Sequence, residues 1–267
     1  MSLAARIAPQ IDRLVLSVNT RTSAEFGEAI HEASRDAGLD GPGLLKHFAD
    51  WMLADGVPPS VAARRLPYLP ERAFAEWVEH LIDRRLLREE PGGLVAVGEL
   101  VGLARLVQEG RRSVATRIWG DDEQSVAGVR SLIESVIGQA PDDYVVAASH
   151  RRVPLPGDAF LSLHQRLTTM RYLRAHAHVL AWRAAGLTAD QIVALTRLRD
   201  GEATGGLTSL RERGLAASDS LTSSGARTRQ EVEDETNRLC DGLLTVLEPG
   251  EGRRLAETLE LLPGSKA

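Results

Sequence analysis

The stretch Arg171–Arg229 sets the tightest limit on what this chain can fold into. Leu173, Ala177, Leu180 and Ala181 recur at helical spacing and stop at Gly186, a residue suited to the left-handed position that closes a helix. Thr188 follows as N-cap for a helix over 189–198, and a further helix over 203–213 ends at Gly214. Residues 215–218 and 221–222 read as two short strands before another helix begins. Three helices, a tight hairpin and a helix, in that order, predict a winged helix-turn-helix.

The same order occurs earlier in the chain. Leu44, Phe48, Trp51 and Met52 make an apolar stripe that ends at Gly56, and Pro58-Pro59 open a helix running to Leu66. A helix over 71–86 turns Phe74, Trp77, Val78 and Leu81 inward, and residues 86–89 and 94–97 read as strands around Pro91-Gly92-Gly93. The copies match at Gly56 with Gly186 and Val57 with Leu187. They match again at Leu81, Arg84 and Leu86 with Leu210, Arg213 and Leu215, and at Gly98 with Gly225. From Gly56 to Leu86 is 30 residues, and from Gly186 to Leu215 is 29. An offset of about 130 residues predicts an internal repeat of two superposable modules, 44–107 and 171–235. Chance similarity between two amphipathic three-helix stretches is the alternative.

Leu210, Arg213, Gly214 and Leu215, followed by Leu221, Thr222 and Gly225, carry a resemblance. This stretch resembles the winged-helix module of MarR-like regulators. The run from Pro154 to Arg229 is similar to an actinobacterial helix-turn-helix family with two such modules per chain. The resemblance covers most of the chain loosely. It implies a mainly α fold of tandem winged helix-turn-helix modules, with flanking helices and short β-hairpin wings. It also implies transcription regulation through DNA, although one fold hosts many functions.

The expected organisation is N-terminal helices over 1–43, the first module with connecting helices over 44–139, a linker over 140–157, and the second module with a long C-terminal helix over 158–267. Ile7, Ile11, Leu14, Val15 and Val18 line a helix beginning near Pro9, and Thr22 or Ser23 caps a second one running to Ala37. The linker is placed by three prolines and weak periodicity. Asp158 caps the helix that enters the second module. After Gly225, Val232, Leu239, Leu243 and Leu247 form a stripe that serves either a homodimer or packing within the chain.

With 43% hydrophobic and 26% charged residues the chain buries a core and is not disordered. A net charge of −5 excludes a globally basic nucleic-acid binder, so any DNA site is a local patch. Cys240 is the single cysteine, which excludes an intrachain disulfide and a thiolate zinc site and reads as a buried thiol. No apolar run approaches the ~20 residues of a membrane span, and residues 1–10 hold no signal-peptide core, so a cytoplasmic protein without a membrane partner is expected. The residues suggest no cofactor and no metal triplet, and none is assigned as catalytic.

The richest polar cluster is His164, Arg171, Arg174 and His178, spaced to fall within roughly an 80° arc of one helix face. Arg forks with imidazoles beside them suit a small anionic ligand. A polar stripe whose arginines pair with carboxylates is the other reading. For duplex DNA, the helix over 71–86 sets Arg72, Arg84 and Arg85 against Glu71, Glu76, Glu79 and Asp83, a poor match to phosphate. The helix near 202–213 is better: Thr204, Thr208, Ser209, Arg211 and Arg213 can read bases or phosphates, joined by Arg227 and Arg229. Its wing, 216–222, has no Arg or Lys, unlike the longer basic wing of MarR-like proteins. Three functions remain open. The first is a DNA-binding regulator and the second a non-DNA protein holding an anionic molecule or a partner between modules. The third is an enzyme using His164 or His178 as acid or base.

Overall fold

The computed structural model describes residues 2–54, 57–202, 205 and 207–264. Helix α1 is Leu3–Asp36, started by Ser2, whose side chain accepts from the Ala5 amide. Helices α2 (Leu45–Met52), α3 (Pro59–Ala62, continued by a 3-10 turn to Arg65) and α4 (Glu71–Asp83) follow. Strands β1 (Leu87–Glu90) and β2 (Gly93–Ala96) form an antiparallel hairpin. Then come α5 (Glu99–Trp119), α6 (Glu123–Gln139), α7 (Val145–Arg152), α8 (Ala159–Ala184), α9 (Ala189–Arg199) and α10 (Leu207–Glu212). A second antiparallel hairpin pairs β3 (Ala216–Ala217) with β4 (Ser220–Leu221), and α11 (Ser223–Leu244) and α12 (Pro249–Leu261) complete the order.

The fold is mainly α with two hairpin wings. The bonds that close the third helix of each set are the same. Leu86 N donates to Leu81 O at 2.9 Å and Arg85 N to Ile82 O at 2.8 Å; Leu215 N donates to Leu210 O at 2.8 Å and Gly214 N to Arg211 O at 2.9 Å. Both ends need a left-handed residue, Arg85 at φ 59° and Gly214 at φ 67°. Gly186, at φ 68°, closes α8 in the same manner, and Thr188 caps α9 in a full capping box with Gln191.

Several expectations are corrected. One helix, not two, spans 3–36, because Thr22 is itself buried and Gly110 of α5 lets α1 come close there. A Cβ at Gly110 would stand 3.0 Å from the Phe26 ring and 3.1 Å from Thr22 Cγ2. The stretch 140–157 is no free linker, since α7 within it buries Val146, Ala147, Ser149 and His150. Gly98 and Gly225 are not equivalent. Gly98 is the N-cap of α5 at φ 54°, whereas Thr222 is the N-cap of α11 and Gly225 lies inside it. A Cβ on Gly225 would meet the Leu215 carbonyl oxygen at 1.9 Å, so only glycine lets α11 lie against the hairpin. Gly56, the first matched glycine, lies outside the described residues.

Three cores result. The first set of helices and its wing close on Phe48, Trp51, Phe74, Leu81 and Leu100. The second closes on Trp182, Ile192, Leu195, Leu210, Leu215 and Val232. A central core joins α1, α6, α8 and α12 through Leu14, Ile133, Leu163, Leu167 and Leu255. Of the stripe after Gly225, Val232 enters the second core and Leu247 the central one, with Leu243 packed against it, while Leu239 is half-buried and belongs to neither.

Two stability outcomes are expected. Trp51 is 1% exposed, and its indole N–H donates to Val57 O at 2.8 Å. Trp51→Ala should cost roughly 3–5 kcal/mol in a urea titration. Gly225→Ala should cost about 1–3 kcal/mol or more by forcing α11 off the hairpin. Gly242→Ala, in the same helix with nothing within 4 Å of its Cβ position, should be neutral or stabilising. Equal losses at the two glycines would contradict the close approach.

Candidate ligand cavity and nucleic-acid face

Helix α8 supplies one wall of a cavity of about 1090 Å³ that lies between the first set of helices and the second. All four residues of its polar face, His164, Arg171, Arg174 and His178, line that cavity. Both arginines also have carboxylate partners. Arg171 Nε donates to Asp12 Oδ1 of α1 at 2.6 Å. Arg174 pairs with Glu233 of α11 and donates to Asn237 Oδ1 at 3.3 Å. The face is therefore both paired and open. His178 shares a 3.0 Å bond between Nδ1 and Thr236 Oγ1, and the Thr236 hydroxyl donates to Val232 O. The imidazole must then be the donor, which leaves its Nε2 as an acceptor.

The opposite wall holds residues that the sequence pattern did not single out. Asp50 of α2, Arg65 at the end of the 3-10 turn, Arg111 of α5 and His150 of α7 all line the cavity. Arg65 has a fully buried side chain; it donates to Asp50 Oδ1 at 2.8 Å, to Ser149 Oγ at 2.6 Å and to His47 O at 3.1 Å. Arg111 donates to the Lys46 carbonyl. Nothing in the sequence separates Arg65 from its neighbour Arg64, whereas His150 could have been suspected as part of a helical run within 140–157. No spacing rule joins residues 50, 65, 111 and 150.

The electrostatics follow from burial. For Asp50, burial alone would raise the carboxyl, but the Arg65 guanidinium outweighs it and holds the group at about 2. Burial lowers His150 to about 3 and His178 to about 4, and pushes His164 well below its usual value; nearby guanidinium groups add to each shift. At neutral pH these imidazoles are uncharged.

The nucleic-acid face is less prepared. Thr208 is exposed on α10 and Ser209 is half-buried, while Thr204 lies outside the described residues. Arg211 donates to Ser218 O of its own hairpin at 2.9 Å and lies 3.5 Å from Asp219. Arg213 donates to Gly186 O at 2.7 Å and to Gln191 Oε1 at 3.0 Å, capping the end of α8. Arg227 is exposed at the start of α11. Arg229 is turned inward: it is 8% exposed, bonded to Glu233 at 3.0 Å, and part of the cavity wall rather than of a DNA-facing surface.

The buried imidazoles predict an acid-sensitive fold. Each binds a proton in the unfolded chain below about pH 6.5. In the folded chain His178 refuses it until about 4 and His150 until about 3. Their contribution is complete above pH 6.5 and is lost as pH falls toward 4. Urea midpoints should decline across that window, and His150→Gln should flatten the decline. A profile equally steep in the variant would show that His150 is not buried as the neutral form.

Among the described residues no helix is long and apolar enough to cross a membrane, and no group of His, Cys, Asp and Glu could hold a metal ion. Comparison with curated proteins and with solved structures gives no match. A family described as "Helix-turn-helix family" matches residues 94–263, from β2 to the end of α12 and so across the cavity wall on α8 and the whole second set of helices. With well over half of its length matched, the chain belongs to this helix-turn-helix family.

Proposed function

We propose that the protein is a helix-turn-helix regulator that binds duplex DNA with its second module and is governed by a small molecule held between its modules. Family membership supports the DNA half. One observation carries the coupling. Helix α9, the first helix of the helix-turn-helix, is itself cavity wall through Ile192, Val193, Thr196 and Arg197. A ligand in the cavity therefore touches the element that sets the position of α10. The two modules are read as a repeat, supported by the matching bonds that close α4 and α10. DNA is contacted by Thr208, Ser209 and Arg227 on this reading, with Arg211 and Arg213 available only if they leave their internal partners. A protein with this role works in the cytoplasm.

A second reading, a ligand-binding member of the family that does not bind DNA, has its own support. Arg211 and Arg213 are engaged within the chain, and the β3–β4 wing carries no basic residue.

Titration with fluorescent genomic DNA fragments at two salt concentrations separates these. The first reading expects binding at low salt, with a log–log slope of roughly −2 to −4, reduced by about one in Arg227→Ala. No binding at low salt removes the DNA role and leaves the second reading.

A further inference from the structure

Polar groups without partners concentrate on the cavity wall. Among the described residues, eight buried side-chain nitrogen or oxygen atoms have no hydrogen-bond partner within the chain. Five of them belong to residues lining this cavity: Asn19 Oδ1, Thr22 Oγ1, Asp50 Oδ2, Arg65 Nη2 and His164 Nε2. Buried polar groups are normally satisfied, and a native protein leaves few exceptions. Their collection around one cavity marks a polar site that the chain does not complete by itself.

The chemistry of those partners can be read from the groups. The Thr169 hydroxyl donates to Gln165 O at 3.0 Å, so its 2.7 Å contact with His150 Nδ1 is donated by the imidazole. Neutral His150 then presents Nε2 as an acceptor. That nitrogen faces Asp50 Oδ2 at 3.6 Å, two acceptors with no hydrogen between them. A donor is wanted there. Beside this pair the charge is uneven. Arg65 is paired with Asp50 and Arg171 with Asp12, while Arg174 and Arg229 share Glu233. Arg111 has only the Lys46 carbonyl among its bonded partners, and the neighbouring His164 and His150 are neutral. Close to Asp50 and His150, Arg111 is thus a cation with no carboxylate bonded to it among the described residues.

We propose that this end of the cavity binds an oxyanion carrying its own hydrogen-bond donor, the anionic oxygens meeting Arg111 beside the enclosed Arg65, and the donor meeting His150 Nε2 next to Asp50 Oδ2. This rests on the reading that the cavity holds a ligand. It moves the anion seat from Arg171 and Arg174 to residues of the first set of helices. A protonated phosphate and a 2-hydroxy carboxylate share the required chemistry, and two pairs of probes distinguish them. Inorganic phosphate carries a P–OH near neutral pH, whereas sulfate does not. 2-Hydroxyisocaproate carries a hydroxyl beside its carboxylate, whereas isocaproate does not.

The test is calorimetric titration of the full chain with these four probes and with 2-hydroxyisocaproamide, which keeps the hydroxyl and lacks the charge. The expected result is saturable binding by phosphate or by the hydroxy acid. Its donor-free counterpart, and the amide in the case of the hydroxy acid, should bind about tenfold or more weakly. Arg111→Gln should weaken the bound probe by at least about tenfold, and more than Arg171→Gln does. If Arg111→Gln fails to fold, the discrimination between donor-bearing and donor-free probes on the unaltered chain decides alone.

The idea is overturned if neither pair is discriminated, if no probe saturates, or if Arg171→Gln is the more damaging change. Amide binding equal to that of the acid leaves a ligand cavity but removes the anion seat. Loss of DNA binding in the earlier titration leaves this subsite untouched.

Discussion

The Arg65–Asp50 ion pair is the interaction on which the arrangement of the two halves depends. A charge with no water around it is costly unless its bonds are made, and removing one partner of such a pair typically costs 3–5 kcal/mol. Arg65 answers that demand with three groups from two separate elements: the Asp50 carboxylate and the His47 carbonyl of α2, and the Ser149 hydroxyl of α7. The result is that α7 is fastened to the first set of helices. Because α7 also packs along α8, the fastening reaches the wall of the cavity. A greasy contact at the same place would have held the elements together but would have left no polar floor.

Much of the local structure is written in neighbouring residues. The caps at Asp158 and Thr188, the left-handed closures at Gly186 and Gly214 and the two hairpins depend on residues within one turn of each other. Such signals survive without tertiary context. The break expected near Thr22 failed because a weak helix former was outvoted by burial against α5. The stretch 140–157 misled for a related reason. Its prolines do mark its ends, but Val146 and His150 between them are ordered by distant partners.

The candidate site divides along the same line. His164, Arg171, Arg174 and His178 share one helix, so periodicity alone brings them to one face, and the structure sets that face on a cavity. Their carboxylate partners lie far along the chain, at Asp12 and Glu233, and no spacing announces them. Asp50, Arg65, Arg111 and His150 come from four different elements and meet only in the folded chain. Among the residues assigned to DNA, Arg229 shows the limit most clearly. An arginine at the start of a polar helix looks exposed in a list of letters, yet its position in the turn points it at Glu233.

Arg213 gives the molecule a further property. By donating to the Gly186 carbonyl and to Gln191 it ties the end of α10 to the end of α8 and the beginning of α9. The three helices thus share a single knot at the corner of the turn. A guanidinium in that position is in reach of two rival sets of acceptors, the carbonyls at the end of α8 and the phosphates of any duplex lying along α10. It cannot satisfy both fully. On the proposed DNA-binding reading, engagement of a duplex would loosen the corner and a tightened corner would withhold the cation, so the turn would act as a latch whose two positions exclude each other.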